Sequence, residues 1–327
     1  MAEQALPRFR IAVVGSGAIG GYYGAKLAHA GADVHFLMRS DLLEVRRSGI
    51  RIEGRGENIH VADVNCYASA GDIGPCDIVL IAVKTTSNGD LPHLIPPLLH
   101  SRTILLTLQN GLGNEEYLAK NFGAERVLGG LCFVCLNRVS PKLIEHYDHG
   151  RVAIGEFSGP PRERTHQITE MFKRSGVNCR VVEDLSLERW RKLVWNIPFN
   201  GLSVAAGGID TEAMLADEDL RELLRSLMDE VIAAANQCGH ALPASEGVHQ
   251  IERTESMGQY KPSTLIDFER GKPLEIEAIW GEPLRRAAAA GAKTPQLELL
   301  YAILKSLNQK LLRSAAARER AVVAVPA

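Results

Sequence analysis

Residues 11–20 read IAVVGSGAIG, an apolar run of four residues followed at once by Gly15, Gly17 and Gly20. The apolar run is typical of a buried β-strand, and a G-x-G-x-x-G spacing that follows a strand and opens a helix is the setting of a dinucleotide site. Gly15 permits a tight turn, Gly17 lets the backbone approach a pyrophosphate, and Gly20 lets the helix pack closely on the sheet. The alternative is a glycine-rich turn that binds nothing.

We therefore expect a dinucleotide whose phosphates meet the free amides at the helix N-terminus. The predicted cofactor-binding residues of this turn are Gly15, Ser16, Gly17, Ala18, Ile19 and Gly20.

The chain on either side of this turn predicts an α/β fold. Short apolar runs alternate with helical segments from residue 10 to about residue 154, which is the signature of a Rossmann doubly wound parallel sheet. Predicted strands occupy residues 11–14, 33–37, 78–83 and 103–108. A hairpin is expected within residues 51–64, and further antiparallel strands that close the sheet are expected within residues 142–155.

The second part of the chain has a different pattern. After about residue 183 strand patterns nearly vanish, and long amphipathic helical patterns replace them, as in residues 217–239 and 295–312. An alanine-rich run before Gly291 indicates the end of another helix. We predict a Rossmann domain over residues 1–183 followed by a mainly α-helical domain over residues 184–327. The tail from residue 315 has no clear pattern and is expected to fray.

Composition excludes several classes of protein. The 327 residues have a formal net charge of −2, with 46% hydrophobic and 23% charged residues, which argues against a disordered chain and a basic nucleic-acid surface. The first ten residues lack the apolar core of a signal peptide, and no run of about 18 apolar residues occurs, so we expect a cytoplasmic protein without a membrane span.

The six cysteines are scattered along a long chain, which argues against a disulfide framework. Cys132 and Cys135 form a C-x-x-C within an apolar strand pattern, whose alternating faces would separate the two thiols. Because no second cysteine or histidine pair accompanies them, no metal site is predicted.

The residues after the second predicted strand indicate which dinucleotide binds. NAD sites usually place an acidic residue here, about 20 residues past the glycines, to accept hydrogen bonds from the ribose 2′-hydroxyl. This chain has Arg39, whose guanidinium suits a 2′-phosphate. NADPH is therefore the expected cofactor, and the alternative is that Arg39 is solvated while Asp41 binds the ribose.

Two later turns follow apolar strands and are expected at the same edge of the sheet, where ligands bind. Lys84 is predicted to face the cofactor phosphates or the nicotinamide ribose, and the amide of Asn110 is predicted to bridge cofactor and substrate. Taken alone, each turn is equally well explained as a polar loop.

The segment WRKLVWNIPFN, residues 190–200, is the candidate catalytic element. Lys192, Asn196 and Asn200 are four residues apart, so a helix presents all three on one face. A polar face among large apolar residues points to a buried helix whose polar groups need partners, which a polar substrate supplies. The alternative is that Lys192 extends to water and the asparagines bind backbone. Pro198 is expected to kink the helix.

These segments, in this order, resemble the ketopantoate reductase family (2-dehydropantoate 2-reductase), which has a 6-phosphogluconate dehydrogenase-like C-terminal domain. The resemblance covers nearly the whole chain and extends to STLID at residues 263–267 and EIE at residues 275–277. It implies reduction of ketopantoate to pantoate with NADPH, in pantothenate and coenzyme A biosynthesis.

The resemblance also assigns residue roles. It implies that Lys192 is the catalytic proton donor and that Asn196, Asn200 and Ser263 contact substrate. Lys84, Asn110 and Glu275 correspond to positions near the cofactor, and Asn110 also lies near substrate. Glu275 is a second catalytic candidate, either orienting Lys192 or holding the ribose hydroxyls. The glycine turn and the Lys192 ammonium are then expected to meet across one cleft between the two domains.

Two departures from the family pattern concern the substrate. Many members continue the second asparagine with Pro-Leu-Thr-Ala, whereas this chain continues Asn200 with Gly-Leu-Ser-Val and has its proline at Pro198; residues 132–140 also differ. Another 2-oxo acid or an imino acid is therefore an alternative substrate, and an NADPH-sensing protein without turnover is a third hypothesis.

We expect a small 2-oxo acid as the binding partner and neither a nucleic acid nor a membrane. A homodimer is compatible with this expectation.

Overall fold

The computed structural model describes residues 8–323, with side chains described through Ala315. The chain divides into two compact units. Unit 1 comprises the chain up to Asn110 together with Asn114–Leu185, and unit 2 comprises Gly111–Gly113 together with the chain from Ser186 onward.

Unit 1 is built on one sheet of ten strands. In chain order these are β1 (Arg10–Val14), β2 (Asp33–Leu37), β3 (Ile50–Gly54), β4 (Glu57–Val61), β5 (Asn65–Tyr67), β6 (Ile78–Ile81), β7 (Ile104–Thr107), β8 (Val127–Ser140), β9 (Leu143–Glu156) and β10 (Cys179–Val181). Across the sheet the order is β4-β3-β9-β8-β7-β6-β1-β2-β5, and β10 pairs with β9.

The helices of unit 1 connect these strands. They are α1 (Ala18–His29), α2 (Leu42–Ser48), α3 (Ala70–Ile73), α4 (Leu91–Leu94), α5 (Asn114–Phe122) and α6 (Glu163–Arg174). Strand β1 pairs in parallel with β2 and β6, β6 with β7, and β7 with β8. Every residue of β6 and β7 is buried, as continuous apolar strands inside an α/β sheet should be. The predicted Rossmann sheet is confirmed.

Two antiparallel pairs extend the parallel part of the sheet. Strands β3 and β4 form a hairpin in which Ile52 pairs with Ile59, and β8 pairs with β9, so both expected antiparallel regions are confirmed. The β8–β9 ladder contains a register shift between Phe133 and Val134, which interrupts the simple alternation of faces expected between Cys132 and Cys135. Both cysteines are buried, and neither forms a disulfide bond.

The β3–β4 hairpin is joined to α1 and β9 through Glu57. Its carboxylate binds the Lys26 ammonium, accepts a hydrogen bond from the Tyr22 hydroxyl at 3.3 Å, and lies 2.9 Å from Nδ1 of His146. Burial raises the pKa of Glu57, but the hydrogen bonds and charges of Lys26 and His146 outweigh burial and hold this pKa below its ordinary value of 4.5. Glu57 is therefore a charged anchor of the hairpin at neutral pH.

The regular structure of unit 2 is all helical in its described part. Its helices are α7 (Leu185–Ala205), α8 (Thr211–Ala216), α9 (Glu218–Gln237), α10 (Glu246–Glu255), α11 (Ser263–Glu269), α12 (Glu282–Ala289) and α13 (Pro295–Val323), with a π-helical turn at Glu277–Gly281. One core joins them, and its largest fully buried side chains include Trp190, Phe199 and Trp280. The predicted helical C-terminal part is confirmed.

The helix ends agree with the sequence pattern except at the C-terminus. Helix α9 stops just before Gly239, and α12 ends before Gly291, both of which have positive φ. Helix α13 continues to Val323, beyond the helical pattern of residues 295–312 and into the tail expected to fray from residue 315, while residues 324–327 lie outside the described part. Alanine, arginine and glutamate, which dominate residues 315–321, are strong helix formers and extend the helix without an apolar pattern.

Within residues 8–323, none of the helices combines the length and the apolar character that crossing a membrane requires.

Candidate active site

The glycine turn between β1 and α1 is shaped by steric contact with the neighbouring strand. Gly15 has φ +103°, and a Cβ added there would lie 2.3 Å from the backbone nitrogen of Val83. A Cβ on Gly20 would lie 2.2 Å from the carbonyl oxygen of Gly15. Only glycine is accommodated at these two positions, which agrees with the roles predicted for them in turning and close packing.

Gly17 differs from the other two glycines. It is exposed, its φ is −74°, and an added Cβ would meet nothing within 4 Å. The fold itself therefore does not require glycine at position 17, and the space in front of this residue is open. Because α1 begins at Ala18, this space lies at a helix N-terminus, where amides without helical partners attract anions.

The turn is fixed to the end of β2. The Ser16 hydroxyl donates a hydrogen bond to the carbonyl oxygen of Leu37 at 3.0 Å. Two residues further on, Arg39 is exposed, and its side chain makes no hydrogen bond or ion pair with the residues that the structure describes. Its guanidinium therefore remains available for an anionic ligand near the glycine turn.

Asp41, the alternative ribose ligand, is already engaged. Its Oδ2 lies 2.8 Å from Nη1 of Arg138, and its Oδ1 accepts a hydrogen bond from the Ser40 hydroxyl at 3.0 Å. Both carboxylate oxygens thus have partners within unit 1, which leaves Arg39, and not Asp41, as the unengaged charged side chain after β2.

The turns after β6 and β7 are joined by a chain of amides. The Gln109 side-chain amide donates to the carbonyl oxygen of Val83 at 3.0 Å and to Oδ1 of Asn88 at 2.7 Å. Asn88 donates to Oδ1 of Asn114 at 3.2 Å, and Asn114 donates to the carbonyl oxygen of Asn110 at 2.9 Å. This network holds Asn110 and the residue before the exposed Lys84 in fixed positions.

Sequence reasoning did not identify Asn88 or Asn114. Asn88 lies in a 3₁₀ turn, Thr85–Asp90, that has no distinctive pattern. Asn114 is only 1% exposed, and its position four residues after Asn110 was the one available signal. Within unit 1 the predicted residues after β1, β2, β6 and β7 therefore lie at one edge of the sheet, the carboxyl ends of its parallel strands.

In unit 2 the predicted polar stripe lies on α7. Lys192 is half-buried, whereas Asn196 and Asn200 are 6% and 2% exposed. The helix continues through Pro198, and the indole nitrogen of Trp280 donates to the carbonyl oxygen of Ile197 at 3.1 Å. The stripe is thus a set of polar groups on a helix packed into a core.

The two asparagines of α7 have different surroundings. Oδ1 of Asn200 accepts hydrogen bonds from the backbone nitrogen of Thr264 at 3.0 Å and from the Ser263 hydroxyl at 3.4 Å, at the start of α11. Its side-chain carbonyl oxygen is therefore used to cap a helix, which agrees, for this residue, with the alternative in which the asparagines bind backbone. Among the residues that the structure describes, no hydrogen-bond partner is found for the Asn196 side chain.

The two carboxylates of the EIE segment, Glu275 and Glu277, differ in burial. Glu275 is 6% exposed and precedes the π-helical turn. Glu277 is exposed, and its carboxylate accepts hydrogen bonds from Arg285 and from the Tyr301 hydroxyl, each at 2.8 Å. Burial raises the pKa of Glu277, but these hydrogen bonds hold that pKa below its ordinary value. Glu275, not Glu277, is therefore the buried candidate.

Among the side chains that the structure describes, residues 8–315, no group of three or more histidine, cysteine, aspartate or glutamate residues is arranged to hold a metal ion.

Comparison with known families supplies independent information. Residues 11–159 match the family model "Ketopantoate reductase PanE/ApbA", and residues 184–308 match "Ketopantoate reductase PanE/ApbA C terminal". The 2-dehydropantoate 2-reductase of Nostoc sp. is 41% identical over 304 residues, covering 91% of this chain and 95% of the relative. That of Mesorhizobium japonicum is 32% identical over 320 residues, covering 91% and 97%.

A solved structure gives the same result. The crystal structure of 2-dehydropantoate 2-reductase from Geobacter metallireducens superposes with a TM-score of 0.89 at 44% identity, covering 91% of this chain and 99% of that one. The resemblance inferred from the motifs is confirmed, and the chain belongs to the ketopantoate reductase family of oxidoreductases.

Proposed function

We propose that this chain is an NADPH-dependent 2-dehydropantoate 2-reductase, which reduces ketopantoate to pantoate on the way to pantothenate and coenzyme A. The observation that carries this proposal is the polar face of α7, where Lys192 and Asn196 occupy a helix otherwise packed into the core of unit 2. The names of the relatives matched over nine-tenths of the chain support the reaction.

The glycine turn fits a dinucleotide. The open space at Gly17 is the space that a Cβ would begin to fill, and it adjoins the N-terminus of α1. Arg39 is the proposed ligand of the 2′-phosphate, because it is exposed and carries a forked cationic group. Lys84 is proposed to bind the cofactor phosphates or the nicotinamide ribose.

Lys192 is the proposed general acid. When bound, NADPH supplies the hydride that reduces the ketone carbon. The Lys192 ammonium donates a hydrogen bond to the ketone oxygen, stabilises the negative charge that develops there, and transfers its proton to complete the alcohol. The neutral amine then regains a proton from water. We propose that Glu275 either orients this ammonium or accepts hydrogen bonds from the ribose hydroxyls.

The remaining polar groups position the substrate. Asn196 and Ser263 are proposed to bind its carboxylate and hydroxyl, and Asn110 to contact both substrate and cofactor. Asn200 contributes its amide nitrogen, because its carbonyl oxygen caps α11. These groups suit a short 2-oxo acid with a second polar group.

A substrate panel tests this function. NADPH oxidation is measured with ketopantoate, with 2-oxo acids that lack its hydroxyl or its branched carbon, and with an imino acid. We expect kcat/KM for ketopantoate to exceed the others by about tenfold or more, because a site built to bind a hydroxyl rejects analogues that lack it.

Each alternative gives a distinct result in the same panel. Faster turnover of another 2-oxo or imino acid would replace ketopantoate as the substrate while keeping the reductase chemistry. NADPH binding without oxidation by any member of the panel would contradict the enzyme proposal and favour a sensing protein.

A further inference from the structure

The ion pair between Asp41 and Arg138 lies beside the proposed 2′-phosphate ligand. Asp41 follows β2 and stands at the N-cap of α2, two residues after Arg39. Arg138 lies near the end of β8, in a different part of unit 1. Nη1 of Arg138 is 2.8 Å from Oδ2 of Asp41, and the two side chains are 23% and 26% exposed.

The guanidinium of Arg138 is held from two sides. Its Nη2 donates a hydrogen bond to the carbonyl oxygen of Pro141 at 2.9 Å, in the turn between β8 and β9. Arg138 is thus anchored to its own hairpin while it binds the carboxylate that follows β2. Such a two-point attachment reduces the side-chain entropy lost in forming the pair.

This ion pair determines whether the Asp41 carboxylate, just after β2, is available to bind a ribose. A carboxylate at this place is the usual ligand of an unphosphorylated ribose, and it repels a 2′-phosphate. Here the Ser40 hydroxyl binds one oxygen of Asp41 and Arg138 binds the other. The charge of Asp41 is therefore balanced, and among residues 39–41 the exposed guanidinium of Arg39 is left as the uncompensated charge.

The other charged side chains of α2 do not replace this pair. Arg46 donates a hydrogen bond to the carbonyl oxygen of Cys66, and Arg47 is exposed. Glu44 is an acidic residue in the first turn of the helix. Arg138 is the cation that lies against Asp41.

We propose that Arg138 is a specificity-determining residue, which favours NADPH over NADH by occupying and neutralising Asp41. This assignment rests on the NADPH preference proposed above. It places part of the cofactor selectivity in β8, far along the chain from the glycine turn and from Arg39.

The experiment measures Kd for NADPH and for NADH by fluorescence titration, without substrate, for the parent and four variants. Arg138→Met removes the cation, Asp41→Asn removes the carboxylate, and the double variant removes both. Arg47→Met, an exposed arginine of α2, controls for the loss of one positive charge. Thermal unfolding of each variant reports whether it is folded.

We expect Arg138→Met to lower the preference for NADPH over NADH about tenfold, since it leaves a bare carboxylate near the 2′-phosphate. Asp41→Asn alone should keep or increase the parent preference. In the double variant the preference should return to within about twofold of the Asp41→Asn value, because Arg138 acts through Asp41. Arg47→Met should leave the preference unchanged.

Three results would overturn the inference. An unchanged preference in Arg138→Met would show that the pair does not affect selectivity, and an equal loss in the Asp41→Asn background would show that Arg138 acts on the cofactor directly. If Arg138→Met does not fold, a loss of NADPH preference in Asp41→Asn would contradict the inference that the Asp41 carboxylate must be neutralised for NADPH to be preferred. The parent alone tests the proposed function: equal affinity for both cofactors would overturn the NADPH proposal itself, whatever the variants do.

Discussion

The glycine turn of unit 1 and helix α7 of unit 2 are built in opposite ways. The turn is made of backbone: Gly15 and Gly20 are fixed by contacts under 2.5 Å that a Cβ would make, and Gly17 is open. The face of α7 is made of side chains, and one of them, Asn200, also caps a neighbouring helix. Gly17 can therefore be substituted without destabilising the fold. A substitution of Asn200, in contrast, affects both the proposed site and the packing of unit 2.

The largest expected effect is on the rate, through α7. Lys192→Ala should lower kcat about 10²–10⁴-fold, because the developing alkoxide loses its proton donor. The Kd for NADPH should change little, since the cofactor is proposed to bind mainly through unit 1 and Lys192 is not among its proposed ligands. Steady-state kinetics and fluorescence titration measure the two quantities.

Lys310→Ala, at an exposed lysine of α13, is the control and should behave as the parent. A Lys192→Ala variant with parental kcat would remove the general-acid assignment and leave α7 as a purely structural element.

The second effect is on cofactor affinity, through the glycine turn. Gly17→Ala should weaken NADPH binding roughly tenfold to a hundredfold, because the new methyl group takes up space proposed for the pyrophosphate. The melting temperature should stay at the parental value, since that Cβ meets nothing within 4 Å.

Gly89→Ala is a matched control, because Gly89 also has no neighbour within 4 Å of an added Cβ and lies outside the turn. Parental NADPH affinity in Gly17→Ala would mean that the open space does not receive the cofactor.

The third effect is on stability, through Asn200. Asn200→Ala should lower the free energy of unfolding by about 1–3 kcal/mol, because the backbone nitrogen of Thr264 loses its buried acceptor. Asn196→Ala, one helical turn earlier, should cost less stability and mainly raise KM. Denaturant unfolding and kinetics of both variants test the distinction, and equal losses of stability would show that the two asparagines do not differ as the contacts indicate.

The smallest effect concerns the hairpin anchor Glu57, in unit 1 but outside the predicted site. Because its pKa is lowered on folding, its charge stabilises the native state above the unfolded value of 4.5, and this contribution is lost as the pH falls through that value and below. Glu57→Gln should therefore be less stable than the parent near pH 7, and the difference should shrink at about pH 4.

Denaturant unfolding at both pH values measures this difference, while the Kd for NADPH should stay parental. A stability difference that does not depend on pH would mean that Glu57 acts through packing and not through its charge.

Much of unit 1 was predictable because its signals are local. The strands before Gly15 and Lys84 are continuous apolar runs, and Gly15 and Gly20 of the glycine motif each have a steric reason. The polar stripe of α7 was also predictable, since a spacing of four residues fixes one helical face. The helical end of α13 was missed, because it depends on helix propensity and not on an apolar pattern.

The contacts between distant segments could not be predicted. The Asp41–Arg138 pair joins α2 to β8, and the amide of Asn88 reaches Asn114 across two loops. No local pattern encodes such pairs, because each partner is an ordinary polar residue in its own segment. A backbone partner for Asn200 was one of the alternatives, but its identity could not be predicted, because Thr264 lies 64 residues further along the chain.

The most direct test of the central claim is a crystal structure of the chain with NADPH and ketopantoate bound. The account predicts that Nζ of Lys192 lies within hydrogen-bond distance, about 3 Å, of the ketone oxygen. A complex in which this amine points into bulk solvent while the ketone is held by other groups would contradict it.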